Sequence, residues 1–267
     1  MVEQALFTSL QSADNEGYQI AAHSGGVDAA ARRELTAWGP SHDSLQEGLA
    51  DAASMNVHGL ADGRTCLSLT RFASDEYSGR GRSVTTWMLL ADSESLAQFG
   101  HHPLRLLDAA LAAGWTRTEA VDSLRLVGRA AAVNLEAVAQ ATSAWGARLL
   151  ALVAQRVQAG SSLALVVAQN RRLLLDALLS LLPSAMRSAV SLTTGLTPSI
   201  QRPLRLHLIW PGDEAIRTFR RTFHGEVLDL TLATPAVRLN SAAETLAGLL
   251  EQQRWCEVRR LVQGLST

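Results

Sequence analysis

The chain has 267 residues, 47% hydrophobic and 18% charged, with a formal net charge of −1. That length can bury a core in one large domain or two smaller ones, the composition is globular and not disordered, and the balanced charge provides no overall field to recruit nucleic acid or an anionic membrane. All 24 basic residues are arginine, which excludes a P-loop lysine, a Schiff-base lysine and a Ser–Lys dyad.

Gln4 to Leu10 and Tyr18 to His23 read as two strands joined by a polar turn, closed by Ser24-Gly25-Gly26. Asp28 is placed to cap a helix from Ala29 to Trp38, with Ala31, Leu35 and Trp38 on its apolar face. Gly39-Pro40 stops that helix, and Trp38 reads as a buried anchor. Ser41 to Gly63 is weakly patterned and reads as a loop with a helical turn. Cys66 to Phe72 and Ser83 to Ala91 read as strands on either side of an exposed connection. This β-β-α-β-β order predicts an antiparallel or mixed sheet in an α+β layer.

Asp92 starts a helical stretch that His101-His102-Pro103 interrupts, and Gly114 to Arg117 is the best boundary between two modules, residues 1–115 and 116–267. Thr118 to Gly160 then reads as almost purely helical. Its seam of Leu124, Gly128, Ala131, Leu135, Val138, Thr142, Trp145, Leu149 and Leu152 recurs at alternating spacings of four and three, with a break near Gly146. Leu163 to Ala168 has the form of a strand buried on both faces, and Asn170 to Leu182 is a helix too apolar to lie on a surface. Strands follow at Ser191 to Thr194, Leu204 to Trp210 and Val227 to Leu232. Helices are predicted from Asp213 and, as a final pair, from Ser241. The second module is thus helix-rich, around a small and partly parallel sheet, and the whole is α+β to α/β.

Charge is divided between the halves. Residues 1–118 hold 8 arginines against 14 acids and residues 119–267 hold 16 against 11, giving −6 and +5. Cys66 and Cys256 stand outside any paired motif, so neither a disulfide framework nor a thiolate zinc site is expected and a reducing compartment is. The first residues lack the pattern of a signal peptide, and no apolar run approaches the ~20 residues needed to cross a bilayer. The expectation is a cytoplasmic protein without membrane insertion.

Chemistry-bearing groups are sparse. His23 and the run Gly39-Pro40-Ser41-His42-Asp43-Ser44 bring Ser, His and Asp together in sequence, but a triad converges from separate elements, and a structural loop is the simpler reading. His101 and His102 are neighbours, about 100° apart on a helix, and cannot chelate together. Gly79-Arg80-Gly81-Arg82 reads as a solvated hairpin. Arg171 and Arg172 follow a buried strand, where ligand sites of α/β sheets lie, and with Arg205, Arg220 and Arg221 they flank the inferred sheet. Some of these five are expected to gather into one basic face; separate solvated charges are the simpler alternative.

Three stretches, Gln4-Ala5-Leu6-Phe7-Thr8-Ser9, Gly17-Tyr18-Gln19-Ile20-Ala21-Ala22-His23-Ser24-Gly25-Gly26 and Leu35-Thr36-Ala37-Trp38-Gly39-Pro40-Ser41-His42-Asp43, resemble the N-terminal domain of the bacterial GTPase-associated proteins. Leu181-Leu182-Pro183, Arg187, Ser191-Leu192-Thr193-Thr194-Gly195 and Arg202-Pro203-Leu204-Arg205-Leu206 are similar to the middle domain that follows it. The family is encoded beside small GTPases in regulatory or conflict systems, and its members are generally longer than this chain. The resemblance transfers no catalytic residue, metal or cofactor. It implies a non-catalytic adaptor acting through a small GTPase or other protein subunits, with self-association left open. Two other readings stand beside it: a hydrolase or nuclease using His23, His42 and Asp43, and a structural subunit of a larger assembly.

Overall fold

The computed structural model describes residues 1–267 except 12–15, 47–52, 76–81, 118–120, 129–132, 203, 233–237 and 265–267. The N-terminal half forms β1 (Glu3–Gln11), β2 (Glu16–His23), helix α1 (Ala29–Trp38), β3 (Ser54–Gly59), β4 (Thr65–Asp75) and β5 (Arg82–Ala91). Helices α2 (Ser93–Ala97) and α3 (Pro103–Ala112) follow. Beyond them come α4 (Leu135–Trp145), α5 (Ala147–Gln158), β6 (Leu163–Val166), α6 (Arg171–Leu181), α7 (Ser184–Arg187), β7 (Leu192–Thr193) and β8 (Leu206–Ile209). Helix α8 (Asp213–Phe223), β9 (Glu226–Asp229), α9 (Ser241–Glu251) and α10 (Trp255–Gln263) end the described chain.

All nine strands belong to one sheet, in the order β2-β1-β5-β4-β3-β7-β8-β6-β9. From β2 to β3 it is antiparallel, and β7, β8, β6 and β9 run parallel to one another. The two parts meet where β3 pairs antiparallel with β7, through Asn56 opposite Thr193 and Val57 opposite Leu192. The α+β expectation holds, with one strand more than the sequence suggested: β3 lies inside the stretch read as a loop.

The strands are built as their faces require. Along β5, Leu89 points into the larger core with Leu67, Leu150 and Leu178, whereas Met88 and Leu90 point into the smaller one with Phe7, Leu35 and Cys66. Helix α1 covers the smaller core. Asp28 caps it as expected, its Oδ1 accepting from the Ala31 amide at 2.8 Å. The anchor of α1 is Leu35, which is fully buried; Trp38 is only half-buried and stacks on His58, ring centroids 4.1 Å apart. The expected burial of Trp38 is corrected accordingly: the buried positions of α1 are Ala31 and Leu35, and the indole at the helix end lies on the His58 ring of β3 instead. Gly39 lies against the Phe7 ring so closely that no Cβ would fit.

The helical reading of Thr118 to Gly160 holds from Leu135 to Gln158, with the expected break at Gly146, and is corrected ahead of it, where residues 118–120 and 129–132 lie outside the described residues. Leu124 is extended and forms an antiparallel bridge with Val2. The helical part divides at Gly146 into α4 and α5, bent by 113°. Gly146 has φ 86°, a left-handed region open to glycine at no steric cost. Asn134 caps α4, Asn240 rather than Ser241 caps α9, and α8 opens at Asp213 with Gly212 in the cap position. Among the described residues no single helix is long and apolar enough to cross a membrane.

Polar groups are buried within the sheet as well. Asn56 accepts from the Ser54 and Thr193 hydroxyls at 2.8 and 2.7 Å and donates to Ser68 Oγ at 3.1 Å, and Thr70 meets Thr86 at 3.0 Å. This network ties β3, β4, β5 and β7 together, each hydroxyl finding a partner that a dry interior would otherwise deny it.

Candidate functional site

A cleft of about 890 Å3 opens where the two halves of the sheet meet, on the face that α1 and α8 share. It exists because three short segments are fastened together. Leu45 bridges Leu196, and the Thr197 amide donates to the Ser44 carbonyl at 2.7 Å. The buried Gln46 side chain donates to the Leu196 and Leu208 carbonyls at 3.1 and 3.3 Å and accepts from the Trp210 amide at 2.7 Å. These bonds fix the 41–46 loop against the carboxyl end of β8, the position at which parallel sheets offer ligand crevices.

One wall carries Phe72 and Arg82 from β4 and β5; the guanidinium lies 3.9 Å above the Phe72 ring. The opposite wall runs from Trp210 through Pro211 and Gly212 into the first turns of α8. Arg171 stacks on Trp210 at 4.8 Å. The rim is acidic: Asp43 stands on one side, Asp213 and Glu214 on the other, all exposed. Asp213 meets Arg217 at 3.5 Å, with both groups in solvent, and such a pair neutralises little.

The hydrolase constellation does not assemble. His42 is half-buried beside the Tyr18 ring, 6.4 Å between centroids. His23 is exposed at the far end of the same strand, its Nδ1 3.0 Å from the Ser24 carbonyl. Five residues of extended chain separate Tyr18 from His23, roughly 16 Å, so the two imidazoles cannot serve one reacting atom. Asp43 is exposed with φ 53°. Among the described residues no group of three His, Cys, Asp or Glu side chains could hold a metal ion.

The five arginines are divided by strand direction. Strand β6 runs parallel to β8 and β9, with Leu163 beside Leu206 and Glu226. Arg205 and the last turn of α8, with Arg220 and Arg221, therefore lie at the edge where those strands begin. All three are exposed and make no ion pair among the described residues. Arg171 and Arg172 follow the end of β6 at the other edge, one four-residue strand or ~13 Å away. They are structural braces. Arg171 donates to the Val167 and Thr194 carbonyls at 3.0 and 2.7 Å, and its burial brings its pKa down to about 10. Arg172 reaches α3, pairing with Asp108 at 2.6 Å and donating to the Leu104 carbonyl at 3.1 Å. A basic face of all five does not form; three share an edge. Of the Gly79 to Arg82 hairpin, residues 79–81 lie outside the described residues, and Arg82 lines the cleft.

A second brace between α3 and α6 was not foreseen. The buried His102 lies 3.0 Å from Asp176, whose other oxygen accepts from Asn134 at 2.7 Å. Burial would raise the Asp176 pKa, but the imidazole and the amide hold it below the ordinary carboxylate value. The cleft residues Gln46 and Trp210 were not picked out as site residues either. The signal for Trp210 was present: an aromatic ending a buried strand, followed by Pro-Gly and a helix start. Nothing in the pattern around Gln46 marks it.

The fold and its site thus define an α+β protein whose antiparallel sheet is extended by parallel strand–helix units, with an acidic and aromatic cleft at the junction. Residues 1–127 match the family model described as GTPase-associated protein 1, N-terminal domain type 2. The resemblance read from the N-terminal stretches is shown over that span. No curated protein and no solved structure matches the chain.

Proposed function

We propose that this chain is a non-catalytic adaptor or regulator of a bacterial GTPase-centred system in the cytoplasm, working by contact with the GTPase or with other subunits. The observation that carries the reading is the match of residues 1–127 to a GTPase-associated protein domain. The similarity of Leu181 to Leu206 to the family's middle domain belongs to the same reading. The separation of His23 from His42 favours it over hydrolysis. Arg205, Arg220 and Arg221 supply a contact surface: a guanidinium is a permanently charged fork that pairs with carboxylate or phosphate through two bonds, and a GTPase presents both.

Titration with a small GTPase encoded beside the chain, as the family reading expects, loaded with GDP or with a non-hydrolysable GTP analogue, tests the proposal. Saturable binding is expected in at least one state. It should weaken as ionic strength rises past ~0.15 M, where exposed charges are screened within ~8 Å. Arg220→Glu with Arg221→Glu should slow association and leave the thermal melt unchanged, since both side chains are exposed. No binding in either nucleotide state overturns the reading.

A further inference from the structure

We propose that the cleft between Asp43 and the start of α8 receives an arginine-bearing segment of a partner protein. The inference rests on the adaptor reading only in taking the occupant to be a protein.

Charge selects the sign of the occupant. Among the described residues, three carboxylates, from Asp43, Asp213 and Glu214, line the cleft against one lining cation, Arg82, already seated on Phe72. Helix α8 opens without a side-chain cap, and its free amides carry about half a positive charge. The two acids of its first turn answer that dipole, and among the described lining residues carboxylates still outnumber cations. An anion is therefore repelled. A bare metal ion is not accommodated either, because no three ligating side chains gather among the described residues.

Shape and polarity select the kind of cation. The volume of about 890 Å3 falls in the ~300–1,000 Å3 range of clefts that enclose a small ligand or a few side chains. Between the acidic rims the surface is apolar, from Leu45, Phe72, Trp210 and Ala215. An apolar floor beneath a ring of carboxylates complements a side chain with an aliphatic stem and a charged head. Arginine fits better than lysine, since its planar head stacks on aromatic rings and pairs with carboxylates by two bonds. The molecule itself makes this contact at both aromatic walls, Arg82 on Phe72 and Arg171 on Trp210.

A fluorescein-labelled peptide with two arginines, titrated into the full chain and followed by anisotropy, provides the test. Saturable binding is expected, weakened about tenfold in Asp43→Asn with Glu214→Gln and lost progressively with salt. Replacing the peptide's arginines by lysine should weaken binding, and replacing them by glutamine should abolish it. The exposed Glu251 on α9 serves as control: Glu251→Gln should leave the affinity unchanged. Both rim acids are exposed and asparagine tolerates the left-handed backbone of residue 43, so the double variant should melt like the parent. Absence of saturable binding overturns the proposal, as does an equal loss in the Glu251 variant or competition by pyrophosphate. Peptide binding retained while the GTPase fails to bind sinks the adaptor reading alone. GTPase binding retained without peptide binding sinks the cleft alone.

Discussion

His58 and His207 are buried so completely that they define how the molecule responds to acid. Burial brings each imidazole from its ordinary value near 6.5 to about 4; for His207 the nearby Arg202 adds to this and the Leu204 carbonyl opposes it. Both are therefore neutral in the folded chain at pH values where the unfolded chain protonates them. Stability from this source is complete above pH 6.5 and is lost as pH falls from 6.5 to about 4, on the order of 3 kcal/mol for each residue. Urea midpoints at pH 4.5 and 6.5 check this: the parent should lose more on acidification than the variant His58→Gln with His207→Gln. An identical loss would mean that both imidazoles gain protons without opening the fold. Neither residue was visible as a pH-sensitive group in the sequence, where a histidine within a strand looks the same whether it faces water or, like His58, the ring of Trp38.

At the scale of elements, the legible parts were those in which side-chain pattern and burial agree. Helix α1 was placed residue for residue because Asp28, the apolar face and Gly39-Pro40 mark its start, body and end. Strand β3 was missed because Ser54, Asn56 and His58 are buried there, so hydrophobicity does not alternate although the backbone does. The helical reading of residues 118–160 held from Leu135 onward, break at Gly146 included, and failed around Leu124 for the opposite reason. An alanine-rich run satisfies a helical period anywhere, and the spacing of Leu124 says nothing of its bridge to Val2. Gly146 turns this into a measurable contrast. Gly146→Ala must hold a side chain at φ 86°, ψ 148°, a region essentially reserved for glycine, and should cost ~1–3 kcal/mol. Gly248→Ala in the middle of α9 meets nothing within 4 Å and should stabilise by ~0.5–1 kcal/mol. Urea denaturation of the two variants should move in opposite directions; a shared direction would place the bend between α4 and α5 elsewhere.

Across the whole molecule, one apolar core runs beneath both halves, joining Leu67 and Leu89 of the antiparallel strands to Leu150 and Leu178 of the helical layer. Arg172 with Asp108 and His102 with Asp176 cross the same boundary. Unfolding should accordingly be a single cooperative event, with near- and far-ultraviolet circular dichroism giving coincident urea transitions; two separated transitions would show that each half keeps its own fold. The sequence indicated the content of each half, β7 included in the strand read at Ser191 to Thr194, but not their union, because the partner strand β3 lies in the stretch that reads as a loop. That junction also governs how the chain is made. Thr193 reaches Asn56 across 137 residues. At ~5–20 residues per second, β3 waits roughly 7–27 s on the ribosome before the strand that completes it emerges. During that interval its open edge is exposed to every other nascent chain. The polar Ser54, Asn56 and His58, poor material for a sticky β-edge, keep the unfinished sheet from taking a stranger in place of β7.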